Sequence, residues 1–271
     1  MRDNSLAPHG HWWCRVGRIS LLFNRRACWL GLALSLGWLA AALLALSHGT
    51  LALSYPRVLA ALFGQGTALD TLLILDIRLP RILAVSLAGA ALGLSGCLIQ
   101  TLVRNRLATP DMVGVNEGGS LAIILFTLYL GLNSWPWWAS PLGAILAALT
   151  LYALCHNPGE QGYRFVVIGI ALSELFNALG QFAMSSQPLV HLASLYLWSM
   201  GHFSGLGYRH LLPIAGCLLL LGPPLIRLGH PLALLTLMPA SARALGVAVL
   251  PLQLAVLGLA ILVAALGTAI G

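Results

Sequence analysis

The sequence predicts an all-α, polytopic membrane protein built as a bundle of spanning helices. Three observations carry this prediction. Of the 271 residues, 59% are hydrophobic and only 8% are charged, whereas soluble domains carry about 25% charged residues. The apolar residues are gathered in many long runs. Such runs do not show the short alternating segments of membrane β-barrels, so helices are the expected spanning elements.

Seven stretches are apolar enough to span a bilayer, which takes about 20 residues. The short segment YPRVLAALFG (55–64) is expected to form an interfacial helix, and the middle of 185–210 a short helix against the bundle. The seven predicted spans are 28–46, 82–102, 112–131, 139–155, 165–184, 211–226 and 247–270.

The arginines set the expected orientation. Residues 1–27 hold five arginines and form a basic N-terminal segment ahead of a membrane domain at 28–271. The first span is long for a signal peptide and lacks a clear cleavage site, so it is expected to remain as an anchor. A cytoplasmic N-terminus places ten arginines inside and four outside, the bias that membrane proteins show. The four outside are Arg57, Arg78, Arg81 and Arg209.

The chemistry-bearing residues do not indicate an enzyme. No metalloprotease, serine-hydrolase or phosphate-binding loop motif occurs, and the five cysteines and eight histidines are dispersed. We therefore expect no cofactor and no bound metal. We interpret the net charge of +7 as the arginine bias that orients the protein in the lipid bilayer. We do not interpret it as a surface that binds nucleic acid.

Small residues recur along the second span. Gly89, Gly93 and Cys97 fall at i, i+4 and i+8, on one helix face. Small residues at this spacing let helix backbones approach closely. We expect this face to pack inside the bundle, either purely as packing or as part of a substrate path.

Polar side chains inside the spans form three groups, of which one is the single residue Gln100 near the inner end of the second span. Glu174, Asn177 and Gln181 are spaced i, i+3, i+7 in the fifth span, and Asn116 and Glu117 open the third. Carboxylates are costly in hydrocarbon, so such residues face a cavity or a partner. Two interpretations stay open, a polar translocation path and an interhelical hydrogen bond.

The gap RLGHPLALLTLMPASARALGV (227–247) is amphipathic and not simply polar. Ser241 starts a short helical pattern, and Gly246 ends it. Exposed apolar residues in such a gap are typical of a surface that docks on another protein. A helix lying on the bilayer is the alternative interpretation.

Four motifs together resemble the permease subunits of ABC importers for ferric siderophores, ferric dicitrate, haem and cobalamin. They are RLPR (78–81), AGAALGLSGCLIQ (88–100), RNRLATPDMVGVN (104–116) and LALLTLMPASARALGV (232–247). Their residue patterns are most similar to those of the ferric-dicitrate and siderophore branch. The resemblance covers residues 29–271 in order. It implies a subunit of the bacterial inner membrane that imports an iron chelate by alternating access, with haem or cobalamin as alternative cargo.

The resemblance also implies partners and residue roles. The partners are ATP-binding subunits that hydrolyse the ATP, a periplasmic substrate-binding protein and a second permease subunit, identical or different. Arg78 and Arg81 would dock the binding protein, and the inner gap would form a cytoplasmic gate at Gly162 and Tyr163. The fifth span would line the pathway, with Glu174, Asn177 and Gln181. The polar pattern of the third span adds Asn116 and Glu117 to the expected pathway. The ATPase coupling loop would hold Leu235, Pro239, Ser241, Ala242, Arg243, Leu245 and Gly246.

The chain departs from the family pattern at several points. Met238 and Pro239 stand where the coupling loop has an acid, and Arg106 stands where the family has proline. Glu117 and Glu174 replace small or neutral residues. Seven of the family's ten spans are expected here, so the sequence indicates a C-terminally truncated chain. A non-transporting remnant or membrane scaffold is therefore the alternative to a working permease.

Overall fold

A computed structural model of the chain describes residues 11–16, 19–49, 51–130, 137–155, 162–185, 207–236 and 239–270. It confirms the all-α membrane bundle. Two strands, β1 (His11–Val16) and β2 (Ile19–Asn24), precede the helices. The helices are α1 (Arg25–Ser47), α2 (Tyr55–Leu62), α3 (Ala68–Thr71), a π-helix (Leu72–Arg78), α4 (Leu79–Val103), a 3-10 helix (Pro110–Val113), α5 (Val115–Tyr129), α6 (Ala139–Cys155), α7 (Gly162–Ser185), α8 (Tyr208–Leu235), α9 (Pro239–Ala244) and α10 (Val249–Thr268).

Each of the seven predicted spans coincides with one apolar helix of the described residues. Five helical runs are long and apolar enough to cross a membrane, and α5 and α6 are shorter apolar helices. The predicted span 139–155 has the bounds of α6. The middle of the gap 185–210, where a short helix is expected, lies outside the described residues.

An antiparallel hairpin within the basic N-terminal segment is the element that the sequence did not indicate. In β1 and β2, His11 lies opposite Asn24 and Val16 opposite Ile19. Asn24 then caps α1, because its Oδ1 accepts a hydrogen bond from the Arg26 amide at 3.0 Å. This cap explains why α1 begins at Arg25 and not at residue 28.

The chain divides into two compact units, Met1–Ile82 and Leu83–Gly271. In the first, Arg57 forms a two-pronged ion pair with Asp70, at 2.7 and 3.1 Å. The Asp70 side chain is only 3% exposed, so the pair fixes α2 against α3. The apolar core of this unit consists of Leu46, Leu53, Val58, Ala61 and Ile74.

The RLPR motif lies inside a helix and not in the loop before one, which corrects the predicted span 82–102. Helical backbone begins at Ala68 and runs to Val103. Its π-helical part ends at Arg78, and the Leu79 amide donates to the Ile74 carbonyl. Pro80, which follows, has no N–H to offer the helix. A π-bulge is a common way for a helix to absorb such an irregularity.

In the second unit, α10 is the most enclosed of the long helices: 56% of its most apolar 18-residue stretch is buried. Two buried serines hold it to its neighbours. Ser95 of α4 donates to the Ala260 carbonyl, and Ser140 of α6 donates to the Ala265 carbonyl, both at 2.8 Å. Each hydroxyl is satisfied by backbone, as an apolar interior requires.

Helices α5 and α6 approach each other closely through glycines. A Cβ added to Gly119 would lie 2.6 Å from the Ser140 Oγ, and one added to Gly143 would overlap the Gly118 carbonyl oxygen. Only glycine leaves room for backbones at this distance. These glycines lie outside the predicted packing stripe.

The predicted packing stripe on α4 is the open face of that helix within this chain. Gly89, Gly93 and Cys97 are exposed, and a Cβ added at either glycine would meet nothing within 4 Å. Within the described residues another face of α4 meets the neighbouring helices, so packing of this stripe stays a prediction. That face carries Ala84, Ala88, Ala91 and Ser95.

Helix α8 is longer than the predicted span 211–226. It continues through Arg227 to Leu235 and contains four prolines within its length. Prolines are tolerated in membrane helices where neighbouring groups satisfy the freed carbonyls. Much of the amphipathic gap is thus the last two turns of α8. The four prolines are Pro213, Pro223, Pro224 and Pro231.

Candidate functional site

A polar groove lies between α5 and α7 in the second unit. Its larger cavity has a volume of about 540 Å³ and its smaller one about 290 Å³. Glu117 and Asn177 line both cavities, so the two are neighbouring parts of one groove. Other polar side chains along it are Ser120, Gln181 and Ser185 in the larger cavity, and Thr109, Asp111, Ser173 and Glu174 in the smaller one.

A sharp turn places Glu117 at the N-terminal end of α5. Gly114 follows the 3-10 helix, and its φ of +73° suits glycine. Gly114 also packs against α7, since a Cβ here would be in ordinary van der Waals contact with Leu172, at 3.5 Å. Because the chain turns here, Glu117 falls in the first turn of α5. A carboxylate is favoured at a helix N-terminus, where the backbone N–H groups point outward.

Asn116 joins three elements and does not line the groove. Its Oδ1 accepts a hydrogen bond from the Thr268 hydroxyl of α10 at 2.9 Å. Its Nδ2 donates to the Oδ1 of Asp111 in the 3-10 helix. The side chain is therefore occupied on both sides and holds the start of α5 to α10.

The 3-10 helix is also fixed to α7. The Ser173 hydroxyl lies 2.6 Å from the Asp111 carbonyl oxygen and 3.0 Å from the Gly169 carbonyl oxygen. A Cβ on Gly169 would overlap the Met112 carbonyl oxygen. These contacts make one wall of the smaller cavity rigid.

The predicted polar face of α7 points along the groove. Gln181 donates to Asn177 within the helix at 3.0 Å, and both side chains are exposed, as is Glu174. Among the described residues, Glu174 has no hydrogen-bond or ion-pair partner. The structure thus gathers Glu117, Glu174, Asn177 and Gln181 in one groove and places Asn116 just behind it.

The charged side chains that line the groove are acidic. Asp111, Glu117 and Glu174 line it, and none of the described side chains that line it is basic. Within the described ranges, no group of three His, Cys, Asp or Glu residues is arranged to hold a metal ion. The groove can therefore offer hydrogen bonds and negative charge to a molecule that enters it.

The two RLPR arginines have different surroundings. The guanidinium of Arg78 donates to the carbonyl oxygens of Leu46 and Leu51. Arg81 is exposed. The structure therefore separates the two residues that the sequence analysis paired.

The predicted coupling segment contains the short helix α9. Ala242 is buried, whereas Ser241 and Arg243 are exposed and Leu245 is 64% exposed. Gly246 ends the segment with a φ of +80°. Met238 lies outside the described residues, and the side chain of Pro239, the first residue of α9, is likewise not described.

The remaining predicted site is the gate. Gly162 and Tyr163 are the first two residues of α7, and their side chains lie outside the described part of the chain. Sequence reasoning missed Ser173, Thr268 and the role of Asp111. Asp111 lies within the quoted motif RNRLATPDMVGVN, which was the available signal.

Comparison with known proteins identifies similar chains. A family model described as the FecCD transport family matches residues 37–271. The chain is 34% identical over 237 residues to the achromobactin transport system permease protein CbrC of Dickeya dadantii, covering 86% of this chain and 68% of that protein. It is 30% identical over 226 residues to the ferric enterobactin transport system permease protein FepG of Escherichia coli, covering 83% and 68%.

A third relative is named for the import of a different compound. The vitamin B12 import system permease protein BtuC of Pectobacterium atrosepticum is 38% identical over 185 residues, covering 66% of this chain and 54% of that protein. The chain therefore spans between 54% and 68% of the length of these three relatives.

A solved structure has a similar fold. It is an inward-facing conformation of a metal-chelate type ABC transporter, with a TM-score of 0.69 at 29% identity. The match covers 88% of this chain and 74% of that one.

Proposed function

The chain belongs to the FecCD transport family, and from this premise we propose that it is the permease subunit of an ATP-driven importer of a ferric siderophore or similar iron chelate. The observation that carries the proposal is the polar groove between α5 and α7, which lies inside the region that matches the family. The chain is a multi-pass membrane protein, and a polar groove along its spanning helices suits a solute path.

The translocation path that we propose runs along this groove. Glu117 and Asn177 line both of its cavities, and Gln181 and Glu174 extend the polar wall. The alternative, an interhelical hydrogen bond, suits Asn116, which bonds to α10. It does not suit Glu174, which bonds no other described residue. Asn116 thus acts by holding α5 in place. The solute would contact the other four residues, Glu117, Glu174, Asn177 and Gln181.

Coupling to ATP hydrolysis is assigned to the segment around α9. The exposed Ser241, Arg243 and Leu245 would meet an ATP-binding subunit, and the buried Ala242 would hold the helix to its own chain. Leu235, Pro239 and Gly246 bound the segment. Closure of two ATP-binding subunits would push α9 and rock two permease bundles between their inward-open and outward-open states. The second bundle is an identical or different permease subunit.

The opposite face would receive a periplasmic substrate-binding protein, through the exposed Arg81. This assignment goes with a cytoplasmic N-terminus in the bacterial inner membrane, which the ten-to-four distribution of arginines favours. Residues 1–27 would then be a cytoplasmic segment and 28–271 the permease domain. Gly162 and Tyr163 would gate the path at the inner face.

An uptake measurement tests the proposal. Cells that lack the gene and cells complemented with the full-length gene are given an iron-55-labelled ferric siderophore. The proposal predicts that uptake is lost in the first and restored in the second. Equal uptake in both would contradict it.

Cobalamin is the second candidate cargo, because identity to the vitamin B12 permease reaches 38% over its matched region. The same two strains are therefore also given cobalt-57-labelled cobalamin. Gene-dependent uptake of cobalamin alone would keep the permease assignment and replace the iron chelate as cargo.

A further inference from the structure

The hairpin formed by β1 and β2 lies ahead of the region that matches the FecCD family, which begins at residue 37. The family match therefore assigns no role to this element. Its register pairs His11 with Asn24 at one end and Val16 with Ile19 at the other. This register, together with the alternation of residues along a strand, determines which residues share a face.

One face of the hairpin carries only apolar residues. Successive residues of a strand fall on opposite faces, and residues paired across two strands share a face. The face that we call the apolar face consists of three pairs, Trp12 with Phe23, Cys14 with Leu21, and Val16 with Ile19. The opposite face is mixed and consists of His11 with Asn24, Trp13 with Leu22, and Arg15 with Ser20. The register thus makes the hairpin amphipathic.

The apolar face needs a cover. A two-stranded hairpin alone in water is marginally stable at best, and it gains stability when its apolar face is packed against another surface. Contact of residues such as Trp12, Phe23 and Ile19 with water costs free energy, which burial in an apolar environment recovers. The position of the hairpin in the chain indicates which apolar environment is nearest.

Helix α1 brings the hairpin to the membrane. Strand β2 ends at Asn24, and α1 begins at Arg25 with no linker between them. Helix α1 is long and apolar enough to cross a membrane, and only 11% of its most apolar stretch is buried within the chain. Trp29, one turn into the helix, is 61% exposed, and tryptophan is enriched where a span enters the headgroup layer. The hairpin therefore starts at the level of the lipid headgroups.

The edges of the hairpin determine how deep it can lie. Within the described ranges the sheet has two strands, so each strand has one edge whose backbone groups do not pair with a further strand. Unsatisfied N–H and C=O groups are excluded from the hydrocarbon core. In the headgroup layer, water and phosphate oxygens can satisfy these groups. This depth suits a hairpin that lies flat, with its apolar face towards the acyl chains.

The charge of the segment favours anionic lipid. Residues 1–27 contain five arginines and a single acid, Asp3. Arg25 and Arg26 occupy the first turn of α1, which holds no acid, although cations are disfavoured at the positive end of the helix dipole. Negative headgroups close by would offset this cost. Clusters of about four to eight basic residues beside a membrane helix are typical of segments that bind anionic lipid.

We propose that the β1–β2 hairpin is a lipid-binding element that buries its apolar face among the acyl chains beside α1 and binds anionic phospholipid through the arginines around it. The inference goes beyond the transport function. It requires that α1 spans the membrane, and it holds for either orientation of the N-terminus.

The first test locates the apolar face. In the full chain, with its five native cysteines replaced by alanine, a nitroxide spin label is attached at Leu21→Cys or, as the matched control, at Ser20→Cys on the mixed face. The protein is reconstituted in vesicles of equal parts phosphatidylcholine and phosphatidylglycerol. Collisions of the label with oxygen, which concentrates among acyl chains, are compared with collisions with a water-soluble nickel chelate.

The ratio of oxygen to nickel collisions should be several-fold higher for the label at position 21 than for the label at position 20. Few collisions with either reagent at position 21 would show that protein covers the apolar face. Equal ratios at the two positions would show that this face is not turned to lipid. Either result would overturn the inference.

The second test begins with the unmodified chain. It is reconstituted in vesicles that carry photoreactive phosphatidylglycerol or photoreactive phosphatidylcholine, and the crosslinked peptides are identified by mass spectrometry. Hairpin peptides should be labelled several-fold more by phosphatidylglycerol than by phosphatidylcholine. Peptides of α6, whose Leu146 and Leu149 are exposed, should be labelled equally by both. Equal labelling of the hairpin by the two lipids would contradict the binding of anionic lipid.

Variants then test the arginines. The double variant Arg15→Gln with Arg26→Gln should lose the preference of the hairpin for phosphatidylglycerol, whereas Arg15→Lys with Arg26→Lys should retain it, because lysine keeps the charge. Arg106→Gln is the control for removal of an exposed arginine elsewhere and should leave the preference unchanged. A preference that persists in the glutamine variant would reject the role of these arginines.

Discussion

The Nε of Arg104 donates a 3.0 Å hydrogen bond to the carbonyl oxygen of Leu235, 131 residues further along the chain. Leu235 is the last residue of α8, and Arg104 directly follows α4. Arg104 adopts a φ of +56°, which is uncommon for a residue with a side chain. The bond ties the end of α4 to the start of the proposed coupling segment.

Removing this bond should weaken coupling. Arg104→Ala is expected to lower substrate-stimulated ATP hydrolysis of the assembled importer several-fold, because a hydrogen bond from a charged group contributes about 1.5–3 kcal/mol. The measurement is ATPase activity in proteoliposomes with and without loaded binding protein. Arg106→Ala is the matched control, since Arg106 is exposed and its side chain has no partner among the described residues. An equal loss in both variants would contradict the prediction.

The Thr268–Asn116–Asp111 chain should contribute to stability. Thr268→Val keeps the side-chain shape but leaves the Asn116 Oδ1 without its donor, at a cost of about 1–2 kcal/mol. Thermal unfolding of the purified chain in detergent measures the loss. Thr150→Val is the control, because among the described residues the exposed Thr150 hydroxyl donates only to the Leu146 carbonyl of its own helix. Equal melting temperatures for the two variants would reject the assignment.

The glycine contact between α5 and α6 should be intolerant of substitution. Gly143→Ala introduces a methyl group where the Gly118 carbonyl lies, and overpacking of this kind costs about 1–3 kcal/mol. Gly93→Ala places the same group on the open face of α4, where helix propensity favours alanine by about 1 kcal/mol. Thermal unfolding should therefore separate the two variants in opposite directions. A large loss for Gly93→Ala would show that the stripe on α4 is covered after all.

Which helices form could be predicted from the sequence, because length and hydropathy determine a membrane span. The bounds of α6 were predicted to the residue. The ends of the helices were predicted wrongly where a helix continues past a polar residue. Arg227 marks the end of an apolar run, yet α8 continues to Leu235. Arg78 looks like a loop residue, yet it lies in a helix that starts at Ala68.

The candidate site was predictable only in part. Glu174, Asn177 and Gln181 share a face by their spacing alone, since that is a local property of one helix. The partners across the groove depend on how helices pair, which spacing within one helix does not determine. For this reason Ser173 and Thr268 were missed, as was the close contact that Gly118 and Gly143 make between α5 and α6.

The central claim is that solute passes along the groove between α5 and α7, and blocking that groove tests it most directly. Asn177 lines both cavities, so Asn177→Trp should fill the path, whereas Leu179→Trp places the same indole at an exposed position that lines neither. Iron-55-labelled siderophore uptake is measured for both at equal membrane abundance. The account predicts near-complete loss of uptake in Asn177→Trp with uptake retained in Leu179→Trp. Full uptake in Asn177→Trp would contradict it.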